Sequence, residues 1–371
     1  MIKSLKPLIN IPTPINISYH WNYGSLLGLY LIIQILRGLL LSIHYCPNTT
    51  LAFPRIIHII QNVKSGWILH NIHINGASFF FIFLYLHIGR GIYYFSFKLI
   101  KTWQIGTTIY ILSIATAFLG YVLPWGQISY WGATVITNLI STIPFFGTNI
   151  VEWVWGGFSI NNATLNRFFS LHFVLPFILI ILISLHLFFL HKSGSSNPLG
   201  SNRNLYKIPF IPYFVLKDFI GFLWAILLFI ILILQYPYIF RDPDNFTPAN
   251  PIVTPVHIQP EWYFLFAYAI LRSIPRKLGG VVALLSSILI LYTLPIFKII
   301  KLNSSYFYFL NQLLFWFFVN VFIVLTWLGA QPIEFPYIIL SQIITFLYFS
   351  FFPFNIILFK IWDYILNLND Q

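Results

Sequence analysis

Residues 73–87 read HINGASFFFIFLYLH, and residues 172–186 read HFVLPFILIILISLH. Each stretch is almost entirely apolar and has a histidine at both ends, so the two histidines of a stretch are 14 residues apart. At about 100° and 1.5 Å per residue, this separation turns an α-helix through about 1400°, about 40° short of four turns, and spans about 21 Å. Each stretch therefore predicts a membrane-length helix with two histidines near one face, at two depths.

The rest of the chain has the same apolar character. Of its 371 residues, 58% are hydrophobic and 8% are charged, against about 45–50% and about 25% in ordinary globular domains. Apolar runs of about 20 residues predict eight membrane spans. The spans are residues 23–45, 74–97, 104–124, 168–190, 217–238, 279–300, 307–329 and 336–360, the last with Pro353 inside it. We therefore predict an all-α polytopic membrane protein.

A stretch rich in Gly, Ser and Asn, residues 193–204, divides the chain after the fourth span. It predicts an N-terminal four-helix bundle within residues 1–200 and a C-terminal four-span region within residues 201–371. Two connections are long enough to carry surface helices of their own, residues 127–166 and residues 241–280.

The net charge of +12 raises the question of nucleic-acid binding, but the basic residues follow the loops. With an even number of spans, both termini lie on one side, whose loops and ends hold eleven basic and three acidic residues, against seven and five on the other side. This bias follows the positive-inside rule. We predict that both termini face the inner compartment, that the chain is embedded in a lipid bilayer, and that it binds no nucleic acid.

Histidine within hydrocarbon requires a partner. Spans two and four run in the same direction, so His73 is predicted to lie level with His172, and His87 with His186. Facing imidazoles without Cys or carboxylate beside them suit six-coordinate haem iron that transfers electrons. The single cysteine, Cys46, excludes an intrachain disulfide, a Cys-ligated zinc or iron–sulfur site and covalent haem attachment. The sequence thus predicts two non-covalent b-type haems in the first four spans.

Glycine spacing supports the same arrangement. Span one has Gly24 and Gly38, and span three has Gly106 and Gly120, each pair again 14 residues apart. These spans run opposite to spans two and four, so the glycines are predicted at the depths of the histidines, where a flat macrocycle needs close backbone approach. A single membrane His or Gly more often serves packing. A transporter with a histidine proton relay would not need the glycine pairs, and a structural assembly subunit would not need the histidines.

Several longer motifs add a resemblance. They are WNYGSLLG (21–28), GWILHNIHINGAS (66–78), LHIGRG (86–91), FLGYVLPWGQISYWGATVITNL (118–139), GTNIVEWVWGGFS (147–159), NRFFSLHFVLP (166–176), LHLFFLHKSGSSNPLG (185–200), DPDNFTPANP (242–251) and PEWYFLFAYAILRSIP (260–275). Together they resemble the cytochrome b family of ubiquinol-cytochrome c reductase, respiratory complex III, of the mitochondrial type. Photosynthetic plastoquinol relatives typically split this architecture between two chains and have a longer second His spacing, which favours the respiratory type.

The resemblance implies specific contacts for each haem. The ligands are His73 and His172 for a low-potential haem near the outer face, and His87 and His186 for a high-potential haem near the inner face. The implied propionate partners are Arg167 outside and Arg90, Ser96 and Trp103 inside. An Arg at the end of a span is otherwise a snorkelling cation.

The resemblance also implies two quinone sites. PEWY (260–263) is similar to the family's quinol-oxidation motif, in which Glu261 would accept a quinol proton. The residues expected around that outer pocket are Tyr121, Gly132, Pro260, Phe264 and Tyr268. At the inner face, the residues expected at the quinone-reduction site are Asn22, Ser25, His191, Ser195 and Asp218. Without the resemblance, Pro-Glu is an ordinary helix start, the aromatic residues are interfacial anchors, and His191 is a plain membrane-edge histidine.

The implied function is electron transfer coupled to proton translocation. Ubiquinol would be oxidised at the outer face, with one electron crossing two b haems to a quinone at the inner face, in a Q cycle. The implied partners are the Rieske iron–sulfur protein, cytochrome c1 and other complex III subunits, in a homodimeric complex of the mitochondrial inner membrane.

Some residues depart from the family pattern. His70 stands where an Arg is usual, so the outer haem is expected to have one propionate partner fewer, or a titratable one. Arg37 stands where a small or polar residue is usual, and a central cation there would cost about 2.5–3.5 kcal/mol. With only one Met in the chain, this suggests the hypothesis that some codons of an organelle gene were read with the wrong code table, which peptide mass spectrometry across Arg37 tests.

Overall fold

The computed structural model describes residues 11–202, 205–296 and 300–366. Its α-helices are α1 (Tyr23–His44), α2 (Ala52–Asn62), α3 (Gly66–Tyr93), α4 (Ile100–Val122), α5 (Gln127–Asn138), α6 (Gly147–Trp155), α7 (Asn162–Ser193), α8 (Tyr213–Gln235), α9 (Leu265–Ser273), α10 (Lys277–Leu289), α11 (Phe309–Gly329) and α12 (Tyr337–Ile365). Two three-residue strands, β1 (Pro12–Pro14) and β2 (Lys207–Pro209), pair antiparallel with Thr13 opposite Ile208. The helical class predicted from the sequence is confirmed. Five charged residues used to predict sidedness, namely Lys3, Lys6, Arg203, Lys298 and Asp370, lie outside the described residues.

Eight helical segments of the described chain are long and apolar enough to cross a membrane, as predicted. They are α1, α3, α4, α7, α8, α10 with the 3-10 turn that extends it to Ile296, α11 and α12. We call the face formed by α2, α5, α6 and α9 the outer face, and the opposite face the inner face. Large apolar side chains point away from the helix bundle, for example Ile181 at 68% exposure and Phe188 at 61%. Lipid is the solvent that such a surface requires.

The largest boundary error concerns the second span. It was predicted to begin at residue 74, whereas α3 begins at Gly66. The intervening polar residues His70 and Asn71 are buried within the bundle. Asn75 is also buried, and its side chain donates to the carbonyls of Asn71 and Pro237, both at 3.0 Å. A polar side chain that is buried and bonded within the bundle, as Asn75 is, does not end a helix, so hydropathy placed this boundary too late.

The start of α7 sets the depth of its two histidines. The Asn161 side chain accepts from the backbone N–H of Ala163 at 2.8 Å, and the Thr164 hydroxyl accepts from the backbone N–H of Asn161 at 3.1 Å. This reciprocal capping box fixes the first turn. The helix then continues through Pro176 to Ser193.

The two long outer connections contain the predicted surface helices and are joined to each other. The first carries α5 and α6, and the second carries α9; α2, between the first two spans, was not predicted. The side-chain oxygen of Asn245 accepts from the backbone N–H of Ser129 at 2.9 Å, and the backbone N–H of Gln127 donates to the carbonyl of Thr247 at 3.1 Å. These bonds join the start of α5 to the segment that precedes the PEWY motif.

Candidate functional site

The outer histidine pair joins α3 and α7. The ring centres of His73 and His172 are 6.3 Å apart, with an 87° angle between the ring planes. Nδ1 of His172 lies 2.8 Å from the carbonyl oxygen of Thr116. A carbonyl only accepts, so this nitrogen carries the proton and leaves Nε2 as the ligating atom, the usual arrangement of a metal-binding histidine.

The inner pair, at the second predicted depth, repeats this arrangement nearer the inner face. The ring centres of His87 and His186 are also 6.3 Å apart, and the planes are inclined by 56°. Nη2 of Arg90 lies 3.0 Å from Nδ1 of His87, and Nε of Arg90 is buried without a hydrogen-bond partner. Guanidinium only donates, so this contact makes Nδ1 of His87 an acceptor. A neutral imidazole that ligates through Nε2 carries its proton on Nδ1, so ligation by His87 requires Arg90 to turn to another acceptor. A carboxylate beside this pair would satisfy the unpartnered Nε.

Both pairs fit a metal held between two imidazoles. A metal–imidazole bond is about 2 Å long, so rings on opposite sides of one ion have centres roughly 6 Å apart. Nδ1 of His73 and Nδ1 of His186 are buried without partners in the structure. A cavity of about 290 Å³ surrounds the outer pair between α1, α3, α4 and α7. The donor set and its spacing fit the two predicted b-type haems, and the cavity adds space for a ligand at the outer pair.

Each predicted glycine faces one of the four imidazoles. A methyl group built at these positions would meet Cε1 of the opposing ring: at Gly24, His87 at 3.3 Å; at Gly38, His73 at 3.1 Å; at Gly106, His186 at 3.1 Å; and at Gly120, His172 at a still shorter distance. The predicted match in depth is therefore confirmed. The atoms nearest to the glycines are those of the imidazole edge, so the glycines let each ring lie against the neighbouring helix.

The glycine contacts predict a graded response to alanine. We expect Gly120→Ala to displace His172 and diminish the outer haem absorbance, because a Cβ that overlaps Cε1 of the ring cannot be accommodated without movement. Gly24→Ala, with a contact of 3.3 Å, is expected to have a smaller effect. Gly28→Ala is the matched control, since nothing lies within 4 Å of its Cβ position. Reduced-minus-oxidised spectra measure the outcome, and identical spectra for Gly120→Ala and Gly28→Ala would refute this interpretation.

The predicted outer quinone residues gather around a second cavity. Its lining includes all six of them, Tyr121, Gly132, Pro260, Glu261, Phe264 and Tyr268, and its volume is about 30 Å³. Tyr121 and Glu261 also line the cavity around the outer histidine pair. These two side chains therefore form the wall shared by the two cavities. A methyl group added at Gly132 would meet no atom within 4 Å, so this glycine borders open space.

Glu261 is the titratable group of this wall. Burial raises the pKa of its carboxyl group to about 7; the guanidinium of Arg241 opposes the rise, and the carboxylate of Asp242 adds to it. A carboxyl group with a pKa near neutrality is suited to accept and release a proton. Tyr268 lines this cavity, and its hydroxyl donates to the carbonyl of Ile258 at 3.0 Å, which ties the side chain to the preceding loop.

Known proteins with this organisation match almost the whole chain. Residues 8–194 match the family Cytochrome b/b6/petB, and residues 248–349 match the family Cytochrome b(C-terminal)/b6/petD. The cytochrome b of Apis mellifera ligustica is 56% identical over 362 residues, which cover 98% of this chain and 94% of that protein. The chain belongs to the cytochrome b family. A solved structure described as a hyperthermophilic respiratory complex III has a TM-score of 0.91 and 34% identity, covering 97% of this chain and 96% of that one.

Membership of the cytochrome b family gives the general function. Members bind two b-type haems and use ubiquinone as substrate. The chain is the electron-transfer subunit of a quinol:cytochrome c oxidoreductase, a multi-span membrane protein that works with other subunits of that respiratory complex. The family and the electron-transfer function predicted from the sequence motifs are confirmed.

Three of the predicted inner-site residues of this family member lie together. The side-chain amide of Asn22 donates to the hydroxyl of Ser25 at 2.7 Å, and the carboxyl group of Asp218 lies beside both. Gly221 permits this approach, since a methyl group there would overlap Oδ1 of Asn22. His191 is exposed in the last turn of α7, and Ser195 follows that helix.

Three predicted propionate partners have other contacts. The hydroxyl of Ser96 lies 2.8 Å from that of Ser196, and the indole N–H of Trp103 donates to the carbonyl of Leu291 at 2.8 Å. Arg167 is exposed, and its guanidinium donates to the carbonyls of Val154, at 3.1 Å, and of Trp153 at the end of α6. Their haem contacts stay predictions.

Arg241 was missed in the sequence analysis. It lines the outer cavity and lies beside His70. One signal could have found it, because it is the only Lys or Arg between Lys217 and Arg272.

Proposed function

We propose that the chain oxidises ubiquinol in the outer cavity and supports quinone reduction at the inner cluster of Asn22, Ser25 and Asp218. The observation that carries this proposal is the presence of two imidazole pairs, each with ring centres 6.3 Å apart, at two depths between the two sites. His73 and His172 would bind the low-potential haem, and His87 and His186 the high-potential haem. When bound, these haems supply one-electron conduction across the membrane.

At the outer site, Glu261 takes a proton from the quinol hydroxyl. Its raised pKa lets it accept that proton near neutral pH and pass it to the outer surface. Tyr121 shares the wall between the cavities, and Gly132 and Phe264 shape the space for the quinone ring. Pro260 lines the same cavity, and Tyr268 bonds to the loop that carries Glu261.

At the inner site, Asp218 would hydrogen-bond a quinone carbonyl and deliver protons during reduction. Asn22 and Ser25 orient its carboxyl group, and Gly221 lets Asn22 reach it. His191 and Ser195, at the inner end of α7, complete the proposed site. Proton release outside and uptake inside constitute the proposed Q cycle.

Partners and sidedness belong to the same proposal. With one cysteine in the chain, the high-potential acceptor has to come from other subunits, which we propose are the Rieske iron–sulfur protein and cytochrome c1. Phe145 and Phe158, at 95% and 90% exposure, give the outer face apolar surface for such contacts. The charge distribution supports the placement of both termini on the matrix side of the mitochondrial inner membrane, and we propose a homodimeric complex.

The division of the chain at residue 200 into a haem-binding bundle and a C-terminal region also remains a proposal. The bundle would supply both histidine pairs, and the C-terminal region would supply Glu261. The β1–β2 pairing joins the N-terminal segment to the linker that follows the bundle.

A haem count tests the proposed function. The purified complex is expected to show two low-spin b haems per chain in a reduced-minus-oxidised spectrum, both reducible by ubiquinol. Material without haem would refute the proposal and favour the transporter that uses membrane histidines as a proton relay.

A further inference from the structure

One arginine lines the cavity around the outer histidine pair, among the described residues. This residue, Arg241, precedes the DPDN segment at the outer end of the bundle, and the same cavity is lined by His73 and His172. Its guanidinium lies over two aromatic rings, 5.8 Å from the centre of Tyr238 and 5.5 Å from that of Phe246. A cation in such an enclosed position needs an anionic partner to offset its desolvation.

The guanidinium lies beside a buried histidine at the rim of the cavity. Nη2 of Arg241 lies 3.5 Å from Nε2 of His70, a side chain that is only 4% exposed. Nδ1 of His70 is buried without a partner. His70 precedes the ligand position His73 by three residues, so it lies about 4.5 Å nearer the outer end of α3. The cation and the imidazole thus lie just outside the level at which the outer haem iron would be bound.

Glu261 and Asp242 are the carboxylates of the described chain that line the cavity with Arg241, and the carboxylate of Asp242 accepts instead from the backbone N–H of Asp244 at 2.9 Å and from the side-chain amide of Gln259 at 3.4 Å. Glu261 lines the same cavity, and burial raises the pKa of its carboxyl group to about 7 despite the nearby guanidinium. Near neutral pH it is therefore an incomplete counter-charge. A haem carries two propionate carboxylates, which are ionised at that pH and match a guanidinium fork. Arg167, the cation expected there from the family motifs, is engaged by carbonyls of α6.

We propose that Arg241 binds a propionate of the outer haem, with His70 as the positioning residue that orients its guanidinium. This inference rests on the proposed function, since it requires a haem between His73 and His172. It also gives the departure at position 70 a physical consequence. His70 stands on α3 where an Arg is usual, and the cation at the rim of the cavity comes instead from Arg241, in the segment after α8.

The test measures the midpoint potentials of the two haems in the intact complex, by potentiometric titration of their absorbance at fixed pH. Removing a positive charge beside a haem disfavours its reduction. We therefore expect Arg241→Gln to shift one midpoint, that of the outer haem, to a more negative value and to leave the other unchanged. Arg241→Lys, which keeps the charge but not the fork, is expected to shift it less.

Two further variants sharpen the comparison. The double variant His70→Arg with Arg241→Gln returns a cation to the rim and is expected to restore the midpoint toward that of the unmodified complex. Arg55→Gln is the matched control, because Arg55 is exposed on α2 at the same face and does not line the cavity. It removes the same charge and is expected to leave both midpoints unchanged.

The outcomes separate this inference from the proposed function. If the complex contains two haems and their midpoints respond equally to Arg241→Gln and to Arg55→Gln, the assignment to Arg241 is overturned and the proposed function is not. A complex without two b haems would overturn both. If Arg241→Gln does not assemble, the smaller shift in Arg241→Lys decides the question, and an unshifted potential there counts against the assignment. Peptide mass spectrometry that found another residue at position 241 would also overturn it.

Discussion

Replacement of His186 by leucine is expected to remove one of the two b haems and to leave the other in place. Leucine cannot ligate iron, and the inner pair depends on both His87 and His186. The outer pair is 14 residues away along both helices, or about 21 Å, and is tied separately to Thr116 through His172. We expect steady-state cytochrome c reduction to be lost, while quinol still reduces the remaining haem in a single turnover.

The measurements are a haem count by difference spectroscopy and a single-turnover reduction with quinol. His44→Leu is the control, because it removes an exposed imidazole from the end of α1 without touching either pair. Loss of both haems in His186→Leu would show that the two pairs are not independent. Retention of both would show that His186 is not a ligand.

The histidine and glycine registers were predictable because a helix is rigid. A separation of 14 residues in four helices fixes a depth and a face with no knowledge of tertiary structure, and each glycine does face a histidine at its own depth. The eight spans were predictable for a similar reason, since the hydrocarbon thickness sets their length. In both cases the deciding property lies along one continuous segment.

Contacts between distant segments were not predictable in this way. His70 and Arg241 are 171 positions apart, and no periodicity relates them. The start of α3 was misplaced because Asn71 and Asn75 are polar but buried, and Asn75 reaches the carbonyl of Pro237 only in the folded bundle. The outer quinone residues were found through a family resemblance, and their spacing alone would have left them as interfacial aromatics and a helix start. For Trp103 the family resemblance implied a propionate contact, whereas its indole N–H donates to the carbonyl of Leu291, in the segment after α10.

Replacement of Glu261 by glutamine is expected to slow quinol oxidation at the outer cavity by about 10²–10⁴-fold, the usual contribution of a general base. Glutamine keeps the size of the side chain but cannot accept the proton. In the unmodified chain the carboxyl group is protonated below its pKa of about 7 and ionised above it. Only the ionised form accepts a proton, so the rate of quinol oxidation should rise with pH through about 7 and then level off.

The pH profile of quinol oxidation in the intact complex checks this prediction. The Glu261→Gln variant is expected to react slowly and to lose the rising limb of the profile, the part near neutrality where the rate increases with pH. Glu261→Asp keeps a carboxyl group and should keep such a limb. Glu334→Gln serves as a control, since Glu334 is an exposed acid of the outer face that lines neither cavity. A slow but unchanged pH profile in Glu261→Gln would assign the titrating group to another residue.

The direction of this limb follows from the balance of charges around Glu261. Burial and Asp242 raise the pKa of the carboxyl group, and Arg241 lowers it. Removing the guanidinium by Arg241→Gln should therefore move the limb to higher pH, whatever the guanidinium does for the haem. Because Glu261 lines both cavities, Arg241 can act on the proton acceptor and on the outer haem. Two measurements separate these effects. A shift of the limb in the pH profile reports on Glu261, and a shift of one haem midpoint at fixed pH reports on the propionate.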